Sequence, residues 1–288
     1  MRKNILVLCL ILGFNFGLKA QESAAKKTFF KPVARKGKFY FFWGWNRSSY
    51  SKSDITFTGD GYDFTLYDVK TKDRPSKLSL DYINPLRISV PQYSYRFGYY
   101  INDKYSISAG FNHMKYVMTA LQQVKISGTI NTPEAGGYNG VYDNDDIILT
   151  EDFLKLEHTN GLNYINFNLE RTDAFWISKG GKSRLNMVTG VGFGLMYPKS
   201  DVTLFGTRLD KWHIAGYGIS SQLALRYDFL KKYFIQLELE GGFINMPDIL
   251  TTGKVNARAK QTFFFFEQVI EIGGYFSLAR KKKNKKTE

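Results

Sequence analysis

The residues best suited to acid–base chemistry in this 288-residue chain are three histidines, His113, His158 and His213. Each lies near the end of a segment in which apolar and polar residues alternate. His158 is the only catalytic candidate among them, and Glu170 follows it by twelve residues. Along one extended strand these two would be about 40 Å apart, far beyond hydrogen-bond reach. We therefore expect polar histidines at a membrane interface and assign no catalytic residue.

A second chemical candidate is the acidic run that contains Asp143, Asp145 and Asp146. Carboxylates of this kind bind the hard cations Ca²⁺ and Mg²⁺. The run lacks the spacing of a calcium loop and has no distant bidentate glutamate, so we predict a solvated loop and no metal site. The glycines form no phosphate-binding loop, and the sequence indicates no cofactor.

The third set consists of charged residues on the polar face of alternating segments: Arg96, Glu170, Arg226, Glu238, Glu240 and Glu271. If that face lines a narrow lumen, unpaired charges would cost several kcal/mol each, whereas paired and hydrogen-bonded charges would be stable. We predict an ion-pair network that plugs the lumen. A proton or ion path is the functional alternative.

The clearest alternating segment is Gly216 to Phe243. Its two arms are joined by a short link, residues 228–232, which predicts an antiparallel hairpin. The apolar face is aromatic at its ends and aliphatic in its middle, as in a strand that crosses a bilayer. A second hairpin of this type spans residues 89–117.

Further strands are predicted at residues 38–50, 162–171, 184–197 and 263–278, which gives eight strands in total. Residues 172–177 either continue a strand through a bulge or belong to a turn. Ten strands would result if residues 54–69 and part of 118–150 also entered the membrane. An eight-stranded barrel is only wide enough for side chains to fill it.

The predicted connections alternate between short and long. The long ones cover residues 51–87, 118–157, 198–213 and 247–262, and residues 54–69 are expected to extend the barrel wall. Outer-membrane barrels place long loops outside the cell and short turns in the periplasm. We therefore expect two large polar outer loops, at 51–87 and 118–157.

The ends of the chain indicate export. Residues 1–20 have a basic start, an apolar stretch and a small residue at Ala20, as in a cleaved signal peptide. Residues 21–37 read as a periplasmic lead-in, 38–278 as the barrel and 279–288 as a basic periplasmic tail. The net charge of +14 is concentrated partly in the leader and the tail, so we expect no nucleic-acid partner. No apolar run reaches the roughly 18 residues of a membrane helix, which excludes helical membrane proteins.

Across residues 38–278 the predicted architecture resembles the small bacterial outer-membrane barrels of the OmpA/OmpX type. This resemblance implies an all-β, transmembrane, antiparallel up-and-down barrel in the outer membrane of a Gram-negative bacterium. The stretch His158-Thr159-Asn160-Gly161 also resembles the His-x-Ser-Asn motif of the lipid A deacylase barrels. It departs from that motif because Asn160 stands where the serine nucleophile belongs.

The resulting functional expectation is a non-enzymatic barrel with an envelope structural, adhesion or ligand-binding role carried by its outer loops. The alternatives are a narrow channel for small or hydrophobic solutes and a hydrolase that modifies lipid A. Expected partners are outer-membrane lipid and lipopolysaccharide, the barrel-insertion machinery and an extracellular ligand.

Overall fold

A computed structural model describes residues 29–76 and 92–277 of the chain. Within those residues it contains fifteen strands: β1 (Phe39–Tyr50), β2 (Ser53–Gly59), β3 (Tyr62–Val69), β4 (Thr71–Lys72), β5 (Tyr93–Tyr100), β6 (Tyr105–Met118), β7 (Gln123–Ile130), β8 (Gly140–Ile148), β9 (Leu154–Ile177), β10 (Arg184–Met196), β11 (Lys199–Leu204), β12 (Thr207–Trp212), β13 (Gly216–Phe229), β14 (Tyr233–Leu250) and β15 (Arg258–Phe276). A short 3-10 helix, Pro133–Tyr138, connects β7 to β8. No helix in the described part is both long and apolar enough to span a bilayer. The predicted signal peptide and basic tail, and residues 77–87 of the first predicted loop, lie outside the described residues.

Eight of these strands close into a ring. Hydrogen-bonded neighbours follow the order β1, β5, β6, β9, β10, β13, β14, β15, and β15 pairs again with β1. Every neighbouring pair in the ring is antiparallel. The predicted eight-stranded, antiparallel up-and-down barrel is therefore confirmed. The ten-strand alternative is wrong, because its additional residues form β2, β3, β7 and β8 beyond one end of the ring.

The two ends of the ring differ in their connections. At one end the turns are short, at residues 101–104, 178–183 and 230–232, and β1 begins and β15 ends there. At the other end the connections after β1 and β6 are long, and those after β10 and β14 are shorter. We refer to these as the short-turn end and the long-connection end. The predicted alternation of short and long connections is present.

The outward face of the ring is apolar, as the alternating sequence predicted. On β13 the outward row runs from Tyr217 to Tyr227, and Leu237 on β14 is 57% exposed in mid-strand. The same face exposes Phe97, Ile107, Phe167, Leu169, Val191, Phe193, Leu223, Leu225, Ile235, Leu239, Ile270 and Ile272. A closed sheet with paired backbone and an apolar exterior is the surface of a membrane-spanning barrel. We call the ring between the levels of Tyr217 and Tyr227 the membrane section.

Strand β9 settles the two interpretations of residues 172–177. The strand continues to Ile177, and its pairing with β10 shifts register where Leu185 faces Trp176 and Asn186 faces Ala174. Phe175 is therefore the extra residue of a β-bulge. The bulged strand is correct and the long turn is not.

The long connections form a second unit rather than polar loops. We call this unit the dome; it comprises β2, β3, β7, β8, β11 and β12 and the adjoining ends of β6, β9, β14 and β15. Strand β2 continues the wall beside β15 and is followed in the sheet by β3, β7 and β8, while β11 pairs with β9 and β12. The expectation that residues 54–69 extend the barrel wall is confirmed, because β2 pairs with β15. The prediction of loops is wrong for most residues of 118–157, 198–213 and 247–262.

The reason for that error is visible in the burial of the dome residues. Ile55 and Phe57 are completely buried while Thr56 between them is not. Alternation of this kind gives a low average hydropathy although every second residue packs in a core. The buried core of the dome includes Ile55, Phe57, Phe64, Leu66, Tyr116, Ile126, Phe153, Leu156, Leu162, Val202, Leu204, Met246 and Ile249.

The described part of the predicted lead-in closes the short-turn end of the ring. Lys31 forms a β-bridge with Ala174, and Arg35 is only 3% exposed. The backbone N–H groups of Arg35 and Lys36 donate to a carboxylate oxygen of Asp103 at 2.8 and 2.9 Å. These residues are therefore attached to the barrel.

Candidate functional site: the charged lumen

The lumen is lined by the inward face of the same strands that expose apolar residues to lipid. On β14 the inward positions Gln236, Glu238 and Glu240 alternate with Leu237 and Leu239. All three inward side chains are at most 2% exposed. The two-residue period of a strand thus places acids on a face that neither lipid nor bulk water reaches.

Arg96 is the centre of the network. Its guanidinium lies 2.8 Å from Glu170, 3.1 Å from Glu238 and 3.7 Å from Glu240, measured between nitrogen and carboxylate oxygen. The arginine and its three partners are each at most 2% exposed. The planar, five-donor guanidinium can serve several carboxylates at once, which a lysine ammonium cannot do with the same geometry.

Arg226 is held differently. No described carboxylate lies within ion-pair distance of it; its Nε donates to Gln236 at 2.5 Å, and one terminal nitrogen donates to the hydroxyls of Tyr100 and Tyr275. The guanidinium also stands 4.4 Å from the ring centroid of Phe234. Cation–π contacts and neutral hydrogen-bond acceptors therefore hold this charge, while its second terminal nitrogen has no hydrogen-bond partner among the described residues.

Gln236 links the two arginines. Its amide nitrogen donates to Glu238 at 2.8 Å and to Glu271 at 2.6 Å, while its oxygen accepts from Arg226. The structure thus brings together all six residues of the predicted network, five of them around Arg96 and Gln236 and the sixth, Arg226, through the Gln236 side chain.

Sequence reasoning left several members out of the network. Glu267 is not in the predicted set, and it lies directly opposite Glu240 on the neighbouring strand. The Asn112 amide bridges these two carboxylates at 2.6 and 2.8 Å. The alternation that identified Glu271 could also have identified Glu267, because the two are four residues apart on one strand.

Glu170 has the most hydrogen-bond donors of the five glutamates. Besides Arg96, the hydroxyls of Tyr40, Ser106 and Ser108 and the amide of Gln222 donate to it. Nothing in a single sequence indicates that these four residues meet, because they come from three different strands, β1, β6 and β13. Only the closure of the ring brings them together.

Arg35 reaches the lumen although no pattern in the sequence indicates it. It comes from the lead-in, and its terminal nitrogens donate to Asn186 at 2.5 Å and to the carbonyl of Thr172 at 3.3 Å. The guanidinium lies 5.9 Å from the ring centroid of Tyr100. Arg35 therefore closes the lumen at the short-turn end, beside Arg226.

This arrangement pairs charges and satisfies hydrogen bonds inside the barrel. Five buried glutamates face two buried arginines in the membrane section, and amide and hydroxyl donors supplement the missing positive charge. Buried charges of this kind are stable only when partners surround them. The side chains fill the narrow interior that an eight-stranded ring encloses.

His158 lies far from this network. Its side chain points into the dome core, where it is completely buried and its ring centroid is 5.5 Å from that of Tyr116. Neither imidazole nitrogen has a hydrogen-bond partner among the described residues. Burial among apolar side chains lowers the pKa of His158 to about 3. The expectation of an interfacial histidine is therefore wrong at this position.

The other two histidines are not brought near His158. The Nδ1 atom of His113 lies 2.7 Å from Asn163, and its ring stacks on Tyr93 with a centroid distance of 5.0 Å. The Nε2 atom of His213 lies 2.7 Å from Asp248. These are separate polar contacts rather than parts of a shared catalytic cluster.

The acidic run lies on β8, at the edge of the dome sheet. Asp146 forms an ion pair with Lys125 at 3.0 Å, and Asp145 accepts the backbone N–H of Asp143. No group of three potential metal ligands is found in residues 29–76 and 92–277. The run is part of a strand, not the solvated loop that was predicted.

No protein-family model matches the sequence, and no curated protein matches it. Solved structures with a similar strand arrangement include the outer membrane protein OprG from Pseudomonas aeruginosa, with 12% identity, 84% of this chain and 97% of that chain covered, and a TM-score of 0.36. Neisserial surface protein A has 11% identity, covers 85% and 99% of the two chains, and has a TM-score of 0.35. Ail, the attachment invasion locus protein of Yersinia pestis, has 10% identity, covers 84% and 99%, and has a TM-score of 0.30.

Proposed function

We propose that this protein is a non-enzymatic outer-membrane barrel whose closed membrane section anchors a structured dome outside the cell. The dome serves envelope structure, adhesion or ligand binding. The observation that carries this proposal is the contrast between a lumen filled by the Arg96 network and a packed dome at the long-connection end. A filled lumen leaves the dome as the part of the protein that is available to partners.

The proposed location follows from the apolar outward face of the membrane section and from the lengths of the connections at its two ends. Short turns are periplasmic in bacterial outer-membrane barrels and longer connections are extracellular. Export through the leader, insertion by the barrel-insertion machinery and contact with lipopolysaccharide belong to the same proposal. In an exported protein the basic tail and leader do not serve to bind nucleic acid.

The geometry gives less support to the two alternatives. A central channel needs an open path, whereas Arg96, Arg226, Glu170 and Glu240 are at most 1% exposed. A hydrolase that uses His158 needs substrate access and a hydroxyl nucleophile, and this imidazole is enclosed by apolar side chains.

The edge of the dome sheet is the surface that we assign to binding. Among the described strands β8 pairs only with β7, so its other edge offers unpaired backbone groups. Val141 and Ile148 at the two ends of β8 are 81% and 52% exposed. An exposed edge of this kind can accept an added strand from a partner.

Single-channel recording in planar bilayers tests the closed lumen. We expect the purified protein to insert without stepwise conductance, while an established porin recorded in parallel gives open channels. Regular conductance steps from the unmodified protein would contradict the plugged barrel and favour the channel alternative.

Surface labelling of intact cells tests the orientation. Gly136 and Gly137 at the tip of the dome, and Gly180 and Gly181 at the short-turn end, have open space around them, so both pairs can accept a short epitope tag. We expect antibody to bind the dome tag on intact cells and to reach the second tag only after the outer membrane is opened. The opposite pattern would reverse the proposed orientation.

A further inference from the structure

The short-turn end of the barrel carries a strong positive charge. Eleven Lys and Arg residues and three Asp residues lie in the segments 31–38, 101–104, 171–184 and 228–232 that surround this end. We call these segments the basic collar. Eight lysines of the collar have no ion-pair partner among the described residues: Lys31, Lys36, Lys38, Lys104, Lys179, Lys182, Lys231 and Lys232.

At the dome, by contrast, carboxylates lie close to several of the lysines. Five of its lysines are paired with carboxylates: Lys52, Lys125, Lys155, Lys199 and Lys254. Unpaired, exposed cations beside a lipid-facing belt attract anionic lipid headgroups. The collar therefore has the charge that an anionic membrane surface would complement.

A groove on the lipid face opens directly beside the collar. It has a volume of about 490 Å³ and lies between the ends of β1, β14 and β15. Its walls are Phe41, Tyr233, Ile272 and Phe276, and Lys232 lies at its edge. An apolar groove that ends at a cation matches a molecule with an acyl chain and a phosphate group.

The groove exists because of one glycine. Gly274 faces outward on β15, directly between Phe41 on β1 and Tyr233 on β14 in the strand register. Its neighbours in the outward row, Ile272 and Phe276, are both large. A side chain at position 274 would occupy the space between the two aromatic rings.

We propose that one anionic phospholipid of the inner leaflet binds at this position, with an acyl chain in the groove at Gly274 and its phosphate at Lys232 and the neighbouring Lys231. This inference rests on the proposed outer-membrane location. The chain's own residues 278–288 are a less suitable occupant, because the run 280–286 has the same charge sign as the collar.

Native mass spectrometry of the full-length protein with bound lipid tests this site. The protein is equilibrated with equal amounts of phosphatidylglycerol and phosphatidylcholine, and the lipids retained after mild removal of detergent are counted. We expect one phosphatidylglycerol to be retained in preference to phosphatidylcholine. The double variant Lys231→Gln/Lys232→Gln should reduce that retention about tenfold or more, since each cation near an anionic surface contributes about a fivefold change in affinity.

Gly274→Leu tests the groove independently of charge and should reduce retention of both lipids at this site. A Cβ there would lie 3.2 Å from the carbonyl oxygen of Lys232, a contact that a small shift relieves. Ala109→Leu adds similar bulk elsewhere on the lipid face, and Lys199→Gln/Lys211→Gln removes charge from the dome. Both controls should retain phosphatidylglycerol as the unmodified protein does.

Equal retention of the two lipids by the unmodified protein would overturn the inference. It would also be overturned if Gly274→Leu left retention unchanged while the lysine variant reduced it, since this would indicate diffuse attraction to the collar. If deleting residues 278–288 were needed before any lipid bound, the chain's own tail would be the occupant. None of these results depends on the tag-labelling and conductance results that test the location and the closed lumen.

Discussion

The membrane section and the dome are built from continuous strands but have opposite interiors. In the membrane section the outward face is apolar and the interior contains Arg96, Arg226 and five glutamates. In the dome, strands β2 and β3 and the outer end of β9 enclose an apolar core. The same two-residue alternation runs through both, so the surrounding solvent decides which face is apolar.

This reversal explains how one chain stabilises two kinds of interior. The dome gains stability as water-soluble proteins do, by removing apolar side chains from water. The membrane section gains little from moving apolar groups between lipid and its interior. Its specificity comes from paired charges and hydrogen bonds that fit only when the ring is closed.

The largest expected difference in stability between the two regions appears when one arginine is removed from each. Arg96→Met leaves Glu170 and Glu238 without their cation in the lumen and should lower the free energy of unfolding by about 3–5 kcal/mol. Arg208→Met removes a dome arginine that pairs with Asp201 at 2.7 Å but is 63% exposed, and should cost at most about 1 kcal/mol.

Urea titration of both variants in lipid vesicles measures this difference. If the triple variant Arg96→Met/Glu170→Gln/Glu238→Gln is more stable than Arg96→Met, unpaired charge is the cause. Equal losses for Arg96→Met and Arg208→Met would contradict the account of the lumen.

A cavity in the dome core should lower the free energy of unfolding by a similar amount, but it should loosen the dome rather than the ring. Phe64→Ala removes a ring that is 1% exposed and contacts Phe57 and Phe153, so it should cost about 3–5 kcal/mol. Hydrogen exchange should increase in β2 and β3 while the ring strands stay protected. Val141→Ala on the dome surface should leave exchange unchanged, and a uniform increase through β13 and β14 would show that the two regions unfold as one unit.

Charge on the outer surface should be tolerated in one region and not in the other. Leu237→Arg places a cation at mid-membrane and should cost about 2–4 kcal/mol. Val141→Arg on β8, at a site that is 81% exposed, should change the free energy of unfolding by less than about 0.5 kcal/mol. If both variants lose the same stability in vesicles, the membrane boundary is misplaced.

The effect that is smallest near neutral pH concerns the buried histidine of the dome. The pKa of His158 is lowered to about 3 by burial, so the folded protein keeps it neutral, whereas the unfolded chain binds a proton below about pH 6.5. Acidification thus favours the unfolded state, and stability falls as the pH decreases from 6.5 towards 3.

His158→Leu should remove that dependence, which amounts to at most about 1.4 kcal/mol per pH unit. The measurement is dome unfolding at pH 6, 5 and 4 for both proteins. Parallel pH dependence in the two would show that His158 is not the group responsible.

The sequence predicted the ring because its strands have one face in lipid and one face in a narrow lumen. The two-residue period of a strand predicts both the outward row from Tyr217 to Tyr227 and the inward acids Glu238 and Glu240. Apart from the wall extension at residues 54–69, the dome was missed because its alternating residues are interrupted by glycines and acidic runs, and an average over residues 118–157 is polar. Which of these residues are buried depends on packing partners from strands that are distant in the sequence.

In the lumen, too, the direction in which a side chain faces could be predicted, whereas its contacts with other strands could not. Six charged lumen residues could be selected by facing alone, since facing is a local property of a strand. The hydrogen bonds of Tyr40 and Gln222 to Glu170, and the entry of Arg35 from the lead-in, depend on which strands meet. His158 was misplaced because a histidine near a strand end was assumed to lie at an interface, whereas the strand continues into a second core.

The boundary between the two regions is tested most directly by cysteine labelling on intact cells. The variants Val141→Cys on the dome and Leu237→Cys on the membrane section are each treated with a membrane-impermeant maleimide. The account predicts labelling of the cysteine at position 141 and protection of the one at 237 until the protein is unfolded. Rapid labelling at 237, or protection at 141, would contradict a lipid-facing barrel wall with an extracellular dome.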